Sequence, residues 1–237
     1  MKHIYVLRVN DANNQSKNGF QYPLAGKVSA PDWNPSPECG GGLHGWESGE
    51  GDPLVATIHP DGVWLVLKVE DSPENLVRLD GKVKFREGTV VFAGSRNAAT
   101  GYIYNKTKAP RVLWVNITGG DGSTLTGGYS STLTGGNFST LTGGNFSTLT
   151  GGDYSTLTGG YESTLTGGNH STLTGGDGST LTGGYRSTLT GGHRSTLTWK
   201  VWDGQRYRLH TFYTGEAGIE ADKPYRFTDG KIKEAIQ

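Results

Sequence analysis

The sequence predicts an all-β protein: a short β-solenoid of about five 16-residue coils, with a β-rich N-terminal domain before it and a small C-terminal β cap after it. Three observations carry this. The octad GGxxSTLT runs ten times without interruption from Gly119 to Thr198. Each octad holds one large apolar residue at a fixed position, always Leu. The segments on either side are short, β-branched or aromatic, and separated by Gly, Pro and Asp-Gly, which is how strands and their turns read. The expected divisions are residues 1–110, 111–198 and 199–237.

In chain order, IYVLRV (4–9) alternates as a half-buried strand and VWLVLKV (63–69) is a strong strand signal. KVKF (82–85) and TVVFAG (89–94), joined by Arg86-Glu87-Gly88, read as a short hairpin, and TGYIYN (100–105) as a further strand. PENLVRL, from Pro73, suggests a brief helical turn. Pro31 to Asp52 is dense in Gly and Pro and carries Trp33, Cys39, His44 and Trp46. RVLWVNIT (111–118) leads into the repeat; Ile117 and Thr118 fall on the Leu-Thr positions of an octad, which predicts an entry strand. After Thr198 come turns at Asp203-Gly204 and Asp229-Gly230 and the aromatics Trp199, Trp202, Tyr207, Phe212, Tyr213, Tyr225 and Phe227, suited to covering an open solenoid end.

Within each octad S-T-L-T is read as a strand, whose side chains alternate between faces. Leu and Ser share one face and the two Thr the other. The Leu file (Leu125, Leu133, Leu141, Leu149, Leu157, Leu165, Leu173, Leu181, Leu189, Leu197) is therefore the expected core. The expected outer surface is Thr124, Thr126, Thr132, Thr134, Thr140, Thr142, Thr148, Thr150, Thr156, Thr158, Thr164, Thr166, Thr172, Thr174, Thr180, Thr182, Thr188, Thr190, Thr196 and Thr198. Gly-Gly is assigned to the corner, for its access to positive φ and to close backbone approach. One octad out and one back gives the 16-residue coil. The order Asn145, Asp153, Tyr161 followed by Asn169, Asp177, Tyr185 keeps a 24-residue coil as the alternative.

One buried Leu is worth roughly 1.5–3 kcal/mol, whereas ordering a residue costs about 1–2 kcal/mol of backbone entropy. A single coil cannot stand alone, so stability has to come from stacking and from capped ends. A disordered Gly/Ser spacer needs neither a fixed Leu nor a strict period.

The chain has 22 Lys plus Arg and 22 Asp plus Glu, so no global field recruits nucleic acid or an anionic membrane. No apolar stretch approaches bilayer-spanning length, and the start reads as a first strand, not a signal peptide. With Cys39 as the one cysteine there is no internal disulfide; a reducing, cytoplasmic location is expected, or release by lysis as a phage-associated component. Calcium-binding solenoids use a nonapeptide with a recurring Asp, but here the period is eight and Asp occupies the third octad position only at Asp121, Asp153 and Asp177, so neither metal nor cofactor is expected. Cys39 and His44 are the sole candidate nucleophile pair; the plainer reading is a buried Cys and a His packed beside Trp46, and His3 or His59 would be guesses as further metal ligands. Tyr129, Phe138, Phe146, Tyr154, Tyr161 and Tyr185 occupy variable corner positions, where they either plug the corners or point outward as assembly contacts.

GYSSTLTGG, GDYSTLTGG and GYRSTLTGG resemble the repeats of bacterial ice-nucleation proteins, in period, in the Ser-Thr-x-Thr core and in the intermittent Tyr. The resemblance covers residues 119–198 and implies a β-solenoid with outward Thr-x-Thr arrays that order water. Those proteins carry several dozen coils, an Ala-Gly corner and a continuous Tyr ladder; here the corner is Gly-Gly and the coils about five. GFQYPLAG, PDWNPSPECGGGLHGW and WDGQRYRLHTFYTGEAGIEADKPYRF resemble bacterial and phage proteins of no assigned activity that place a short Thr-rich solenoid between such ends. The combined expectation is a non-enzymatic structural or interaction protein, self-associating as a homodimer or engaging a protein partner. Ice or ordered-water binding is the alternative.

Overall fold

A computed structural model of the chain describes residues 2–235. The chain divides into two compact units, Met1–Val115 and Asn116–Gln237.

The first unit is an antiparallel sheet of seven strands: β1 (His3–Val9), β2 (Gly26–Ser29), β3 (Leu43–Glu47), β4 (Trp64–Glu70), β5 (Leu76–Leu79), β6 (Lys82–Phe85) and β7 (Glu87–Gly94). Their order is β2-β7-β4-β1-β3-β6-β5. β4 is an interior strand between β7 and β1, and Trp64, Leu65, Val66, Leu67 and Val69 are all buried, as the unbroken apolar run requires of a strand covered on both faces. One face is covered by α1 (Arg96–Thr107), which buries Ala99, Thr100 and Ile103 against the sheet. Trp46, Trp64 and Trp114 form a cluster with ring centroids 5.2–6.3 Å apart.

Three sequence expectations are corrected in this unit. TGYIYN is helix, not strand: Ser95 caps α1 by accepting the Ala98 N–H at 3.4 Å, and Ala99, Ile103 and Thr107 follow at helical spacing, so tertiary packing overrides β propensity. KVKF and TVVFAG do not pair with each other. β6 lies between β3 and β5, while β7 lies between β2 and β4. Asn75 holds the crossing, accepting the Arg86 N–H on its carbonyl at 2.8 Å and the Glu87 N–H on its side chain at 2.9 Å. The true hairpin is β5–β6, closed by Asp80-Gly81 with Leu79 opposite Lys82. PENLVRL does open on one brief helical turn, Leu76 N–H to Ser72 carbonyl at 2.9 Å, and from Leu76 it is strand β5. Of RVLWVNIT only β8 (Asn116–Thr118) is strand; Val112 to Val115 are buried and non-strand, with Trp114 left-handed at φ 54°.

The second unit is the solenoid. One sheet stacks β8, β10 (Thr132–Thr134), β12 (Thr148–Thr150), β14 (Thr164–Thr166), β16 (Thr180–Gly183) and β18 (Thr196–Trp202). The other stacks β9 (Thr124–Thr126), β11 (Thr140–Thr142), β13 (Thr156–Gly159), β15 (Thr172–Gly175) and β17 (Thr188–Gly191). All are parallel, and Leu133 pairs with Leu149, Leu141 with Leu157 and so on, always sixteen residues apart. The coil is therefore 16 residues, one octad per sheet, and the 24-residue alternative is excluded. Ile117 sits opposite Leu133, so β8 does extend the Leu file by one position.

At the far end each sheet is closed by an antiparallel hairpin. β19 (Tyr207–Tyr213) pairs with β18; β20 (Pro224–Thr228) pairs with β17 and with β21 (Lys231–Glu234). Trp199 is fully buried, donates Nε1–H to the Ser187 carbonyl at 2.9 Å and lies against Phe212 and Phe227. The aromatic C-terminal segment thus covers the last coil, which the energetics of stacking demand.

Candidate binding surfaces of the solenoid

The interior is built as alternation requires. From Leu133 to Leu197 every Leu is 0% exposed, Leu125 is 8% exposed, and Ser131 to Ser195 are buried with them. Buried hydroxyls need partners, and the coil spacing supplies them. Ser147 Oγ donates to the Gly128 carbonyl of the preceding coil at 3.3 Å and accepts the Ser131 N–H at 3.3 Å. The same two contacts recur at Ser163, with Gly144 and Ser147, and at Ser171, with Gly152 and Ser155. A polar column of paired serine hydroxyls thus runs beside the Leu file.

The corners work differently from the expectation placed on Gly-Gly. None of the paired glycines has positive φ. The left-handed residue is the fourth of the octad: Ser130, Phe138, Phe146, Tyr154, Glu162, His170, Arg186 and Arg194 lie at φ 49–59°, and Gly122 and Gly178 at 69°. That conformation turns the fourth residue's N–H toward the next coil, as in Phe138 N–H to the Asp153 carbonyl at 2.9 Å. Gly-Gly is required by space. A Cβ on Gly143 would lie 2.6 Å from Ser147 Cβ, and one on Gly144 would lie 2.9 Å from the Gly128 carbonyl carbon.

A further corner element has no counterpart in the sequence reading. Asp121, Asn137, Asp153 and Asn169 stand one above another at the third position, and each Oδ1 accepts the N–H of the next: Asn137 at 2.8 Å, Asp153 at 2.8 Å, Asn169 at 2.6 Å and finally Tyr185 at 2.8 Å. The opposite corner has this contact at Asn145 to Tyr161 (3.0 Å) and Asp177 to His193 (2.9 Å). The signal was Asp or Asn at every second octad from Asp121 through Asn169. These side chains extend the ladder through the bend, where a backbone turning away from its neighbour would otherwise leave N–H groups unpaired.

Both sheets present threonine outward. On one, Thr140, Thr142, Thr156, Thr158, Thr172 and Thr174 are exposed; on the other, Thr148, Thr150, Thr164 and Thr166. Thr124, Thr132 and Thr180 are also exposed, while Thr126, Thr134, Thr182, Thr190 and Thr196 are half-buried. Thr188 and Thr198 depart from the expected outer face. Both are buried under the closing hairpins, Thr188 Oγ1 accepting Arg226 Nε–H at 2.7 Å and Thr198 Oγ1 lying 3.1 Å from Thr211 Oγ1. Strands in such a sheet lie about 4.8 Å apart and alternate residues about 6.5–6.8 Å apart, so the exposed hydroxyls and methyls form a two-dimensional array.

The corner aromatics point out. Phe138, Tyr154, Phe146, Tyr161 and Tyr185 are all exposed, and Tyr129 is half-buried. Phe138, Tyr154 and His170 form a parallel stack at 5.2 and 4.9 Å on one corner. Tyr129, Phe146 and Tyr161 form a tilted column on the other.

In the first unit, Cys39 is exposed, against the expectation of a buried thiol. The Pro31–Asp52 segment loops outward here, and the fully buried Lys84 fixes it by donating to the Ser36, Glu38 and Gly40 carbonyls at 2.6–3.1 Å. Lys82 Nζ lies 3.0 Å from Cys39 Sγ and, with lesser help from the Gly40 backbone and Lys84, holds the thiol below its usual pKa. No hydrogen bond joins Cys39 to His44 among the described residues. The His44 Nδ1 is buried without a partner, and burial, reinforced by Lys82, Arg8 and Lys84, lowers its pKa to about 4. Among the described residues no group of three or more His, Cys, Asp or Glu side chains is placed to hold a metal.

The chain is 50% identical over 103 residues to an ice nucleation protein of Xanthomonas campestris pv. translucens and 30% identical over 100 residues to one of Pseudomonas fluorescens. These matches take in 44% and 42% of this chain but only 7% and 8% of the relatives, so the chain spans less than a tenth of their length. No protein-family model matches the chain, and no solved structure matches it. The chain is a β-solenoid protein distantly homologous to ice nucleation proteins.

Proposed function

We propose that the chain is a non-enzymatic structural protein whose solenoid is a rigid scaffold and assembly surface. The observation that carries this is the double cross-bracing of every coil, by the buried Ser column and the corner Asp/Asn contacts, beneath faces that stay exposed. Five coils at about 4.8 Å give about 24 Å of stiff rise, with side chains at fixed spacing on two faces and two corners. Such a part suits self-association or a protein partner in a larger assembly, including one released with a phage. Molar mass by light scattering across a concentration series tests it, together with cross-linking in the native host extract. A concentration-dependent dimer or a reproducible partner, lost in Thr148→Arg/Thr164→Arg, is the expected result. A chain that stays monomeric and takes no partner counts against it.

Ice binding is the second reading, favoured by the exposed Thr-x-Thr array and by the names of the two relatives. Purified protein would then slow ice recrystallisation, and Thr148→Arg/Thr164→Arg or Thr156→Arg/Thr172→Arg would identify the active face. Unchanged crystal growth at high protein concentration would exclude it.

A further inference from the structure

The closing hairpin does more than cover the last coil. β18 would have to bend at Lys200 to follow the solenoid; instead it runs straight to Trp202 and returns as β19, with Trp202 opposite Tyr207. The overshoot places a wall beside the corner that carries Asp153, Asn169 and Tyr185. Between wall and corner lies an open groove of about 500 Å³.

The groove combines two kinds of surface. Rings line both walls: Trp202 and Tyr207, 55% and 62% exposed, on the hairpin, and Tyr185, 44% exposed, beside Tyr154 and His170 on the corner. Trp202 and Tyr207 meet edge to face at 5.2 Å, so their rings form a fixed angle. Lys200 lies over Tyr207, 4.9 Å from the ring centroid. Large rings left open to water on a rigid support mark a contact site. Its polar groups stand among the corner rings, at the top of the corner ladder. Asp153 and Asn169 each commit Oδ1 to the coil above. That leaves Asp153 Oδ2 as an acceptor and Asn169 Nδ2 as a donor on neighbouring coils, whose strands lie about 4.8 Å apart, and neither has a hydrogen-bond partner among the described residues.

We infer that this groove binds a neutral oligosaccharide. A sugar ring has apolar C–H faces that lie on aromatic rings and a rim of hydroxyls that both donate and accept. The groove offers flat rings on both walls, with a donor and an acceptor set among them on the corner wall. An apolar ligand would leave the amide and carboxylate unpaired. A polyanion would meet the Asp153 carboxylate, with Lys200 already turned over a ring. The open form suits a section of a chain better than an enclosed small molecule.

The test uses the full chain in affinity electrophoresis, in gels containing hydroxyethyl cellulose, glycol chitin or dextran sulfate, followed by titration with cellohexaose and chitohexaose monitored by tryptophan fluorescence. Retardation by a neutral polymer is expected, with at least tenfold weaker binding in Trp202→Ala and in Asn169→Ala. Phe146→Ala, which removes an exposed aromatic from the opposite corner, leaves binding unchanged. Because Asn169 also braces the corner, circular dichroism melting of each variant separates lost binding from lost folding, and Trp202→Phe is expected to retain part of the affinity. Retardation by dextran sulfate alone, no retardation by either neutral polymer, or an equal loss in Phe146→Ala would overturn the assignment.

Discussion

Thr214 occupies the place that a serine of the next coil would take above Ser195. Its Oγ1 accepts the Ser195 N–H at 2.8 Å and donates to the Gly192 carbonyl at 2.8 Å. These are the two contacts that Ser147, Ser163 and Ser171 make with the coil before them, so the hydroxyl column ends on a residue outside the repeat. Thr214→Val keeps the shape and removes both bonds, leaving a buried N–H and carbonyl unpaired. A loss of about 2–6 kcal/mol in the stability of the last coil follows from about 1–3 kcal/mol for each of the two unsatisfied groups. Faster hydrogen exchange at Ser195 is the local readout, and Thr214→Ser is expected to restore protection.

The two glycine roles make opposite predictions. Gly143→Ala forces a methyl against Ser147 and Leu149, 2.6 and 3.0 Å away, and should cost about 1–3 kcal/mol as an overpacked core does. Ser130→Gly frees a left-handed residue at φ 54°. Relief of about 1–2 kcal/mol of strain is offset by about 0.5–1 kcal/mol of added chain entropy, leaving the variant unchanged or slightly more stable. Urea denaturation of both variants checks the pair; destabilisation by Ser130→Gly would show that the fourth position is not strained.

The solenoid was legible because one physical rule, alternation, acts identically in every octad: Leu149 and Ser147 had to share a face, and Thr148 and Thr150 the other. The corners were less so, since close packing and positive φ both favour glycine and only the folded coil divides the roles between Gly143 and Phe146. Thr214 carries no local mark of its partnership with Ser195, nineteen residues away. In the first unit, where no repeat reinforces the signal, Tyr102, Ile103 and Tyr104 have strand propensity but lie in a helix fixed by Ser95 and by burial of Ile103. The β6 and β7 strands are near in sequence and apart in the sheet because Asn75 holds the chain between them.

Cys39 is exposed beside Lys82, which stabilises the thiolate. Alkylation by iodoacetamide should therefore proceed at lower pH than for an unperturbed cysteine. Lys82→Met should move the midpoint of the rate against pH upward. An unchanged midpoint would mean that the 3.0 Å contact between Lys82 Nζ and Cys39 Sγ does not persist in solution.

His44 sets an acid-dependent term in the stability of the first unit. Its imidazole titrates at about 4 in the folded chain against 6.5 when unperturbed, chiefly because burial opposes the charged form. Between those values the unfolded chain binds the proton and the folded chain does not, so stability rises with pH across the window. The contribution is whole above pH 6.5 and is lost as pH falls toward 4. Between about pH 6.5 and 5 few unperturbed carboxylates titrate, which isolates the histidine. Urea midpoints followed by tryptophan fluorescence should fall across this upper part of the window in the native sequence. The slope should flatten in His44→Gln, which carries no titrating group. A His44→Gln chain that keeps the full slope would assign the acid sensitivity to other groups and leave the buried imidazole without that role.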